Sequence, residues 1–200
     1  MNANYEGVEI IDPLNYDEFD NLVSQLAELR KGKNDEAELR EWLKKGNYFG
    51  TMLVKAGIAD GLVGGATYST GDTVKPSLQI IKTKPGIKKV SSALLMVRGD
   101  EKYIMGDCAI NIDPTSEDLA EIAMESAKTA RVFGIEPKVG LLSFSTKGSA
   151  KSPMVDKVVN AVKILDETET DFEYDGEMQF DAAFVQSVGS KKAPGSKVAG

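Results

Sequence analysis

Between residues 143 and 151 the chain reads SFSTKGSAK, gathering four hydroxyls (Ser143, Ser145, Thr146, Ser149), two lysines and Gly148 in nine residues. Such a set can hold an oxyanion, because hydroxyls and ammonium groups donate hydrogen bonds and glycine lets backbone amides turn toward a ligand. The spacing is not G-x-x-x-x-G-K-[ST], so it is not a P-loop. Ser, Thr, Gly and Lys also make any solvated turn, and on pattern alone both readings stand. Gly64-Gly65 followed by Tyr68, Ser69, Thr70, Asp72 and Lys75 is a second candidate. Its hydroxyls either cap a helix, with Asp72 in the first turn, or join the glycine amides in presenting donors to a phosphate. Arg30-Lys31-Gly32-Lys33 is a third, and by itself it reads as a helix stop, cations in a last turn followed by glycine.

Composition narrows the chemistry. The 200 residues are 42% hydrophobic and 28% charged, as in a globular chain of one or two domains with a real core. With 24 basic and 31 acidic side chains the net charge is −7. No Lys/Arg stripe follows an expected helix, so neither nucleic acid nor an anionic membrane is expected as a partner. An acidic chain that binds an anion must concentrate positive charge locally. No apolar run approaches the roughly 18 residues of a membrane span, and the first residues lack a signal-peptide pattern, so a cytoplasmic protein is expected. A single cysteine, Cys108, excludes an internal disulfide. The absence of histidine removes Ser-His-Asp and Cys-His machinery and imidazole-ligated metal, so no metal is expected. Carboxylates, lysines, arginines, hydroxyls and backbone dipoles remain.

The elements that must position these residues follow from periodicity. A strand is expected at residues 8–11, then a helix over 15–31 burying Phe19, Leu22, Val23, Leu26 and Leu29. A second helix runs from an Asn34 cap to about Lys45, packs Leu39, Trp42 and Leu43, and is closed by Gly46. An apolar helix around 49–54 precedes a strand over 61–66. The basic connector 82–89 marks a boundary near 88, dividing residues 1–88, part of a first α/β domain, from 89–200, most of a second. Strands at 90–97 and 103–110 form a hairpin with a loop of about three to five residues. Asp113-Pro114 starts a helix that turns Leu119, Ile122, Ala123, Ala127 and Ala130 inward and stops at Gly134. Val139, Leu141 and Leu142 form a covered strand leading into the 143–151 loop. Beyond it Ser152 is an N-cap, Pro153 the first helical residue, and Val155, Val158, Val159, Val162 and Leu165 share one face. Residues 172–185 hold a short strand and a helix from near Asp181, and 186–200 carry no expected element. Strands alternating with helices make the class α/β, with a mostly parallel sheet flanked by helices. A strand-to-helix loop in such a sheet lies where ligands gather.

Several segments together resemble the phosphate acetyltransferase (phosphotransacetylase) family, within the phosphate acetyl/butyryltransferases. They are Asn47-Tyr48-Phe49-Gly50-Thr51-Met52, Ala59-Asp60-Gly61-Leu62-Val63, Leu78-Gln79-Ile80-Ile81-Lys82-Thr83-Lys84, Asp107-Cys108-Ala109-Ile110-Asn111, Leu119-Ala120-Glu121-Ile122-Ala123, residues 143–151, and Asp175-Gly176-Glu177 with Asp181-Ala182-Ala183. The resemblance extends over essentially the whole chain. It implies a two-domain architecture like that of isocitrate and isopropylmalate dehydrogenases, with the active site in the cleft between the domains.

The implied reaction is acetyl-CoA + phosphate to acetyl phosphate + CoA, by direct thiol attack in a ternary complex. No cofactor is bound permanently; acetyl-CoA or coenzyme A, phosphate and acetyl phosphate are the small-molecule partners, and a homodimer is a candidate assembly. The resemblance implies that Arg30 helps hold coenzyme A, where a guanidinium fork suits a phosphate. It assigns Ser69, Thr70 and Lys75, and Ser145, Thr146, Lys147, Gly148 and Ser149, to coenzyme A and phosphate binding, and Cys108 and Asn111 to the cleft wall. Lys75 stands where the family has arginine, and Tyr68 where it has histidine; lysine keeps the charge but loses the fork. Cys108 reads as a small buried hydrophobe rather than a nucleophile. Members of the family begin with a further strand–helix unit and continue with a segment bearing a serine, an arginine and an aspartate, so the catalytic groups are expected beyond residue 200. Phosphate butyryltransferase and a non-catalytic CoA/phosphate-binding fragment are the alternatives. No G-x-G-x-x-G follows a strand, so the shared fold does not imply a dehydrogenase.

Overall fold

Side-chain caps set half of the α-helix starts among the described residues. The computed structural model describes residues 6–200, and the chain divides into two units, Met1–Val90 and Ser91–Gly200.

In the first unit Asp12 accepts from the Leu14 amide and starts a single 3-10 turn, Pro13–Asn15. Helix α1 (Phe19–Arg30) ends where Lys31 takes φ 50° and returns its amide to the Ala27 and Glu28 carbonyls. Helix α2 (Glu36–Leu43) is capped by Asp35, whose carboxylate accepts from the Glu38 amide at 2.7 Å. Helix α3 (Gly46–Lys55) follows directly. Helix α4 (Thr70–Pro76) is capped by Ser69 and continues into a π-turn, Ser77–Ile81. The apolar stripes of α1, α2 and α3 meet in one core of Leu22, Val23, Leu26, Leu39, Leu43, Tyr48, Phe49, Met52 and Leu53, closed by Ile80.

Several expectations need correction here. Residues 8–11 and 61–66 are irregular rather than strands. A strand is stabilised by a hydrogen-bonded neighbour, and no described strand pairs with either segment; Ile10 is 74% exposed and Val63 wholly so. Glycines at 61, 64 and 65 further weaken the second. The first helix starts at Phe19, not near residue 15, the cap of α2 is Asp35, not Asn34, and Gly46 opens α3 instead of closing α2.

The second unit begins with an antiparallel hairpin, β1 (Ala93–Arg98) and β2 (Glu101–Gly106), in which Arg98 faces and pairs with Glu101 at 2.6 Å. Its loop is only Gly99-Asp100, shorter than expected, because Gly99 at φ 60° allows a two-residue turn. Helix α5 (Ser116–Val132) starts at a reciprocal cap: Asp118 N–H donates to Thr115 Oγ1, and Thr115 N–H donates to the Asp118 carboxylate. It ends just before Gly134, at φ 73°. Strand β3 (Lys138–Leu142), helix α6 (Pro153–Asp166) and strand β4 (Glu173–Met178) form a parallel β–α–β unit. Its core joins Ala120 and Ala123 of α5, Leu141 of β3, and Val158, Ala161 and Leu165 of α6. The alanines let α5 and α6 pack closely.

Helices α7 (Phe180–Phe184) and α8 (Gln186–Lys192) follow, and residues 193–200 are irregular. Helix α8 occupies a stretch where composition announces no element. Its buried Gly189 backs onto the Ala182 carbonyl, where an added Cβ would stand 2.6 Å away, so tertiary contact rather than propensity places it. The class is α/β, but parallel pairing makes only one of the two two-stranded sheets among the described residues; the hairpin is the other. Strand β3 is also less covered than expected, since Leu141 is buried and Leu142 is 45% exposed. Among the described residues no helix is long and apolar enough to cross a membrane.

Candidate functional site

The loop after β3 folds onto β4 through its own donors. Ser145 is fully buried, and its hydroxyl donates to Glu177 Oε1 at 2.9 Å while accepting from the Ala150 amide at 3.0 Å. Gly148 N–H donates to the same Glu177 oxygen at 2.7 Å, and Lys147 N–H donates to the Glu177 carbonyl at 3.1 Å. Thr146 is buried as well; its hydroxyl accepts from Gln179 N–H at 2.9 Å, and its amide donates to Ser149 Oγ at 3.0 Å. Backbone amides that composition leaves open to an anion are therefore largely bound within the protein. Lys147, Gly148 and Ser149 are exposed, Ser145 and Thr146 are not. The turn takes left-handed φ at Lys147 (49°) and Gly148 (81°).

Charge at the loop is balanced locally. The Lys147 ammonium donates to Asp175 and to the Gly176 carbonyl, the latter at 3.0 Å. Burial pushes the Asp175 carboxyl up, but hydrogen bonds from Lys147 and Ser196 outweigh it and hold the group below its ordinary value. Lys192 donates to Gln179 Oε1 at 3.0 Å and to Asp181 at 2.8 Å. Lys151 is exposed and bonds to no described residue.

Asp107 organises the segment that carries Cys108 and Asn111. Its carboxylate accepts from the Ser92 amide and hydroxyl, from the Ile110 and Asn111 amides at 3.1 and 2.9 Å, and from the Asn111 side chain. Burial would raise this carboxyl, yet the hydrogen bonds hold it well below the usual carboxylate range. Cys108 is exposed, with Sγ 3.7 Å from the Met105 carbonyl, so it is not the buried hydrophobe expected: the turn stabilised by Asp107 carries its side chain outward. Among the described residues no His/Cys/Asp/Glu cluster could hold a metal ion.

In the first unit Arg30 ends α1 partly buried. Its Nε donates to Asn34 Oδ1 at 2.8 Å, its Nη1 to the Gln79 carbonyl at 3.3 Å, and its guanidinium lies 5.5 Å from the Trp42 ring centroid. Tyr48 OH donates to Gln79 Oε1 at 2.6 Å; burial raises the pKa of this phenol, and the nearby Arg30 charge opposes the shift. Ser69 accepts from the Asp72 amide at 3.1 Å and donates to the Asp72 carboxylate at 2.7 Å, so it does cap α4. Thr70 and Lys75 are exposed, and Lys75 bonds to no described residue. Asn47 donates to the Asp72 carbonyl at 2.7 Å and ties α3 to this corner.

Glu177, Asp175, Asp107, Trp42, Tyr48 and Gln79 were not singled out as site residues by sequence reasoning. Five of them lie inside the segments that carry the family resemblance, Tyr48 in 47–52, Gln79 in 78–84, Asp107 in 107–111, and Asp175 and Glu177 in 175–177, which was the one available signal; Trp42 lies in none.

The profile described as Phosphate acetyl/butaryl transferase matches residues 1–200. A phosphate acetyltransferase of Bacillus subtilis (strain 168) is 58% identical over 200 residues, covering 100% of this chain and 62% of the relative. Among solved structures, the EutD phosphotransacetylase from Staphylococcus aureus matches with a TM-score of 0.84 at 55% identity, over 98% of this chain and 61% of that one. A phosphotransacetylase from Streptococcus pyogenes matches with a TM-score of 0.85 at 52% identity, over the same 98% and 61%. The chain thus spans about three fifths of the length of these relatives.

Proposed function

This chain belongs to the phosphate acetyl/butaryl transferase family, and from that premise we propose that it serves the transfer of acetyl between coenzyme A and inorganic phosphate. The observation that carries the reading is the 58% identity, running the length of the chain, to a protein named phosphate acetyltransferase. In one direction a phosphate oxygen attacks the thioester carbonyl, a C–O bond forms, the C–S bond breaks, and the thiolate leaves. In the other the coenzyme A thiolate attacks acetyl phosphate and inorganic phosphate departs. Both run directly within a ternary complex.

The chain's own part is to bind and orient. Arg30 Nη2, which bonds to no described residue, is the edge of the fork left for a coenzyme A phosphate, with the other two nitrogens fixed by Asn34 and Gln79. Thr70 and Lys75 add a hydroxyl and a single point charge beside the Ser69 cap. In the second unit Lys147 and Ser149 form the exposed rim that meets phosphate, Gly148 turns the chain between them with its amide held by Glu177, buried Ser145 and Thr146 support the rim from beneath, and Cys108 and Asn111 supply a wall. The same reading counts residues 1–88 to a first α/β domain and 89–200 to a second, as in the isocitrate dehydrogenase fold. It sets the reaction in the cytoplasm, with coenzyme A a substrate rather than a resident cofactor and a homodimer as the assembly.

Coenzyme A release from acetyl-CoA by the full-length protein tests the reading, with butyryl-CoA alongside. Release that requires phosphate and yields acetyl phosphate in equal amount is expected. Release independent of phosphate overturns it.

A further inference from the structure

We propose that Glu177 is a positioning residue whose buried carboxylate sets the shape of the 145–150 loop and so the placement of the phosphate-binding rim; the second half of this statement rests on the acyl-transfer reading above. The ladder between β3 and β4 pairs Leu141 with Gly176 and then Leu142 with Met178, so Glu177 is the residue passed over. An extra residue in a strand turns its side chain out of the regular alternation, a device common beside functional loops. Glu177 is thereby only 3% exposed and lies under the loop.

From there it meets three donors in four consecutive loop residues. Its Oε1 accepts the Ser145 hydroxyl at 2.9 Å and the Gly148 amide at 2.7 Å, and its carbonyl accepts the Lys147 amide at 3.1 Å. The Ser145 hydroxyl passes the constraint on by accepting from the Ala150 amide at 3.0 Å. These bonds hold Lys147 at φ 49°, a backbone region that a side chain ordinarily disfavours, and its ammonium is then secured by Asp175 one residue before Gly176. A buried carboxylate is tolerated when such donors satisfy it, and removing it strands them. Glu177 thus takes up the Ser145 hydroxyl and the Gly148 amide and leaves Lys147 and Ser149 at the exposed crest of the turn.

The test compares Glu177→Ala and Glu177→Gln in the full-length protein, by amide hydrogen exchange at Lys147 and Gly148 and by steady-state kinetics. Glutamine retains an oxygen that can accept from both Ser145 and Gly148. Expected for alanine is exchange faster by about tenfold at Gly148, whose acceptor is removed, with a smaller change at Lys147, whose acceptor is the retained main-chain carbonyl, and a KM for phosphate raised by about tenfold with kcat changed far less, the pattern of lost ground-state binding. Glutamine restores both. Unchanged exchange in Glu177→Ala, or a glutamine variant as impaired as alanine, overturns the proposal. Should the alanine variant not fold, Ser145→Ala, which removes one donor, must show the same direction of change at Gly148 while Glu177→Gln stays near wild type; no change in Ser145→Ala also overturns it. If the wild-type protein releases no coenzyme A in a phosphate-dependent way, the acyl-transfer reading fails, and the exchange arm still decides what Glu177 does to the loop.

Discussion

At the end of α1 the Arg30 guanidinium lies over Trp42 and donates to Asn34 and to the Gln79 carbonyl, so three neighbours hold it flat. Lysine would keep the charge and lose both the stack and the fixed plane. Arg30→Lys is therefore expected to raise the KM for coenzyme A by about tenfold, a loss of ~1.4 kcal/mol, with little change in kcat, as initial-rate kinetics would show. Asp107 makes a second test. Its folded pKa is depressed, so between the folded and unfolded values the unfolded chain binds more protons, and stability falls as pH falls. Asp107→Asn should cost about 1.5–3 kcal/mol near neutral pH, the range for hydrogen bonds to a charged group. That difference from wild type should shrink as pH drops below about 4, where the unfolded carboxylate protonates. Urea midpoints measured across that window check it; a difference that grows toward acid contradicts the assignment.

Helix starts were legible where a cap is local and unambiguous: Ser152 accepts from the Met154 amide as expected, and Ser69, one of two open readings, accepts from the Asp72 amide. The reciprocal cap at Thr115 lies just past the expected Asp113-Pro114 start. Thr115→Ala should cost about 1 kcal/mol and lower the melting temperature by about 2–4 °C, readable by calorimetry. The strand pair was legible only in part. Gly176 in β4 faces Leu141 so closely that an added Cβ would stand 2.9 Å from its Cβ and its carbonyl oxygen, and 3.2 Å from Val162. None of these is the free end of a flexible side chain, so β3 and β4 would have to part. Gly176→Ala should destabilise by about 1–3 kcal/mol, measured as a lower urea midpoint; a neutral result would mean the strands yield at no cost. Residues 8–11 and 61–66 have strand-like composition but no hydrogen-bonding neighbour among the described residues, and no reading of one segment alone reveals that.

Each unit has its own core, one assembled from three helices and a π-turn, the other from α5, α6 and β3. Leu26 and Leu165 are each fully buried at their centres. Leu26→Ala and Leu165→Ala should each cost about 2–5 kcal/mol, with hydrogen exchange reporting the loss in the unit that carries the change. Sequence by itself determined the α/β class, the helical stripes, the Ser152 cap and the likeness to a family, because periods of three to four residues and caps are properties of neighbours along the chain. Which groups of the 143–151 loop face outward was decided only by tertiary structure. The one acceptor that binds both Ser145 and Gly148, Glu177 Oε1, lies 32 and 29 residues away on β4, and a carboxylate at that separation declares no partner until the strands pair.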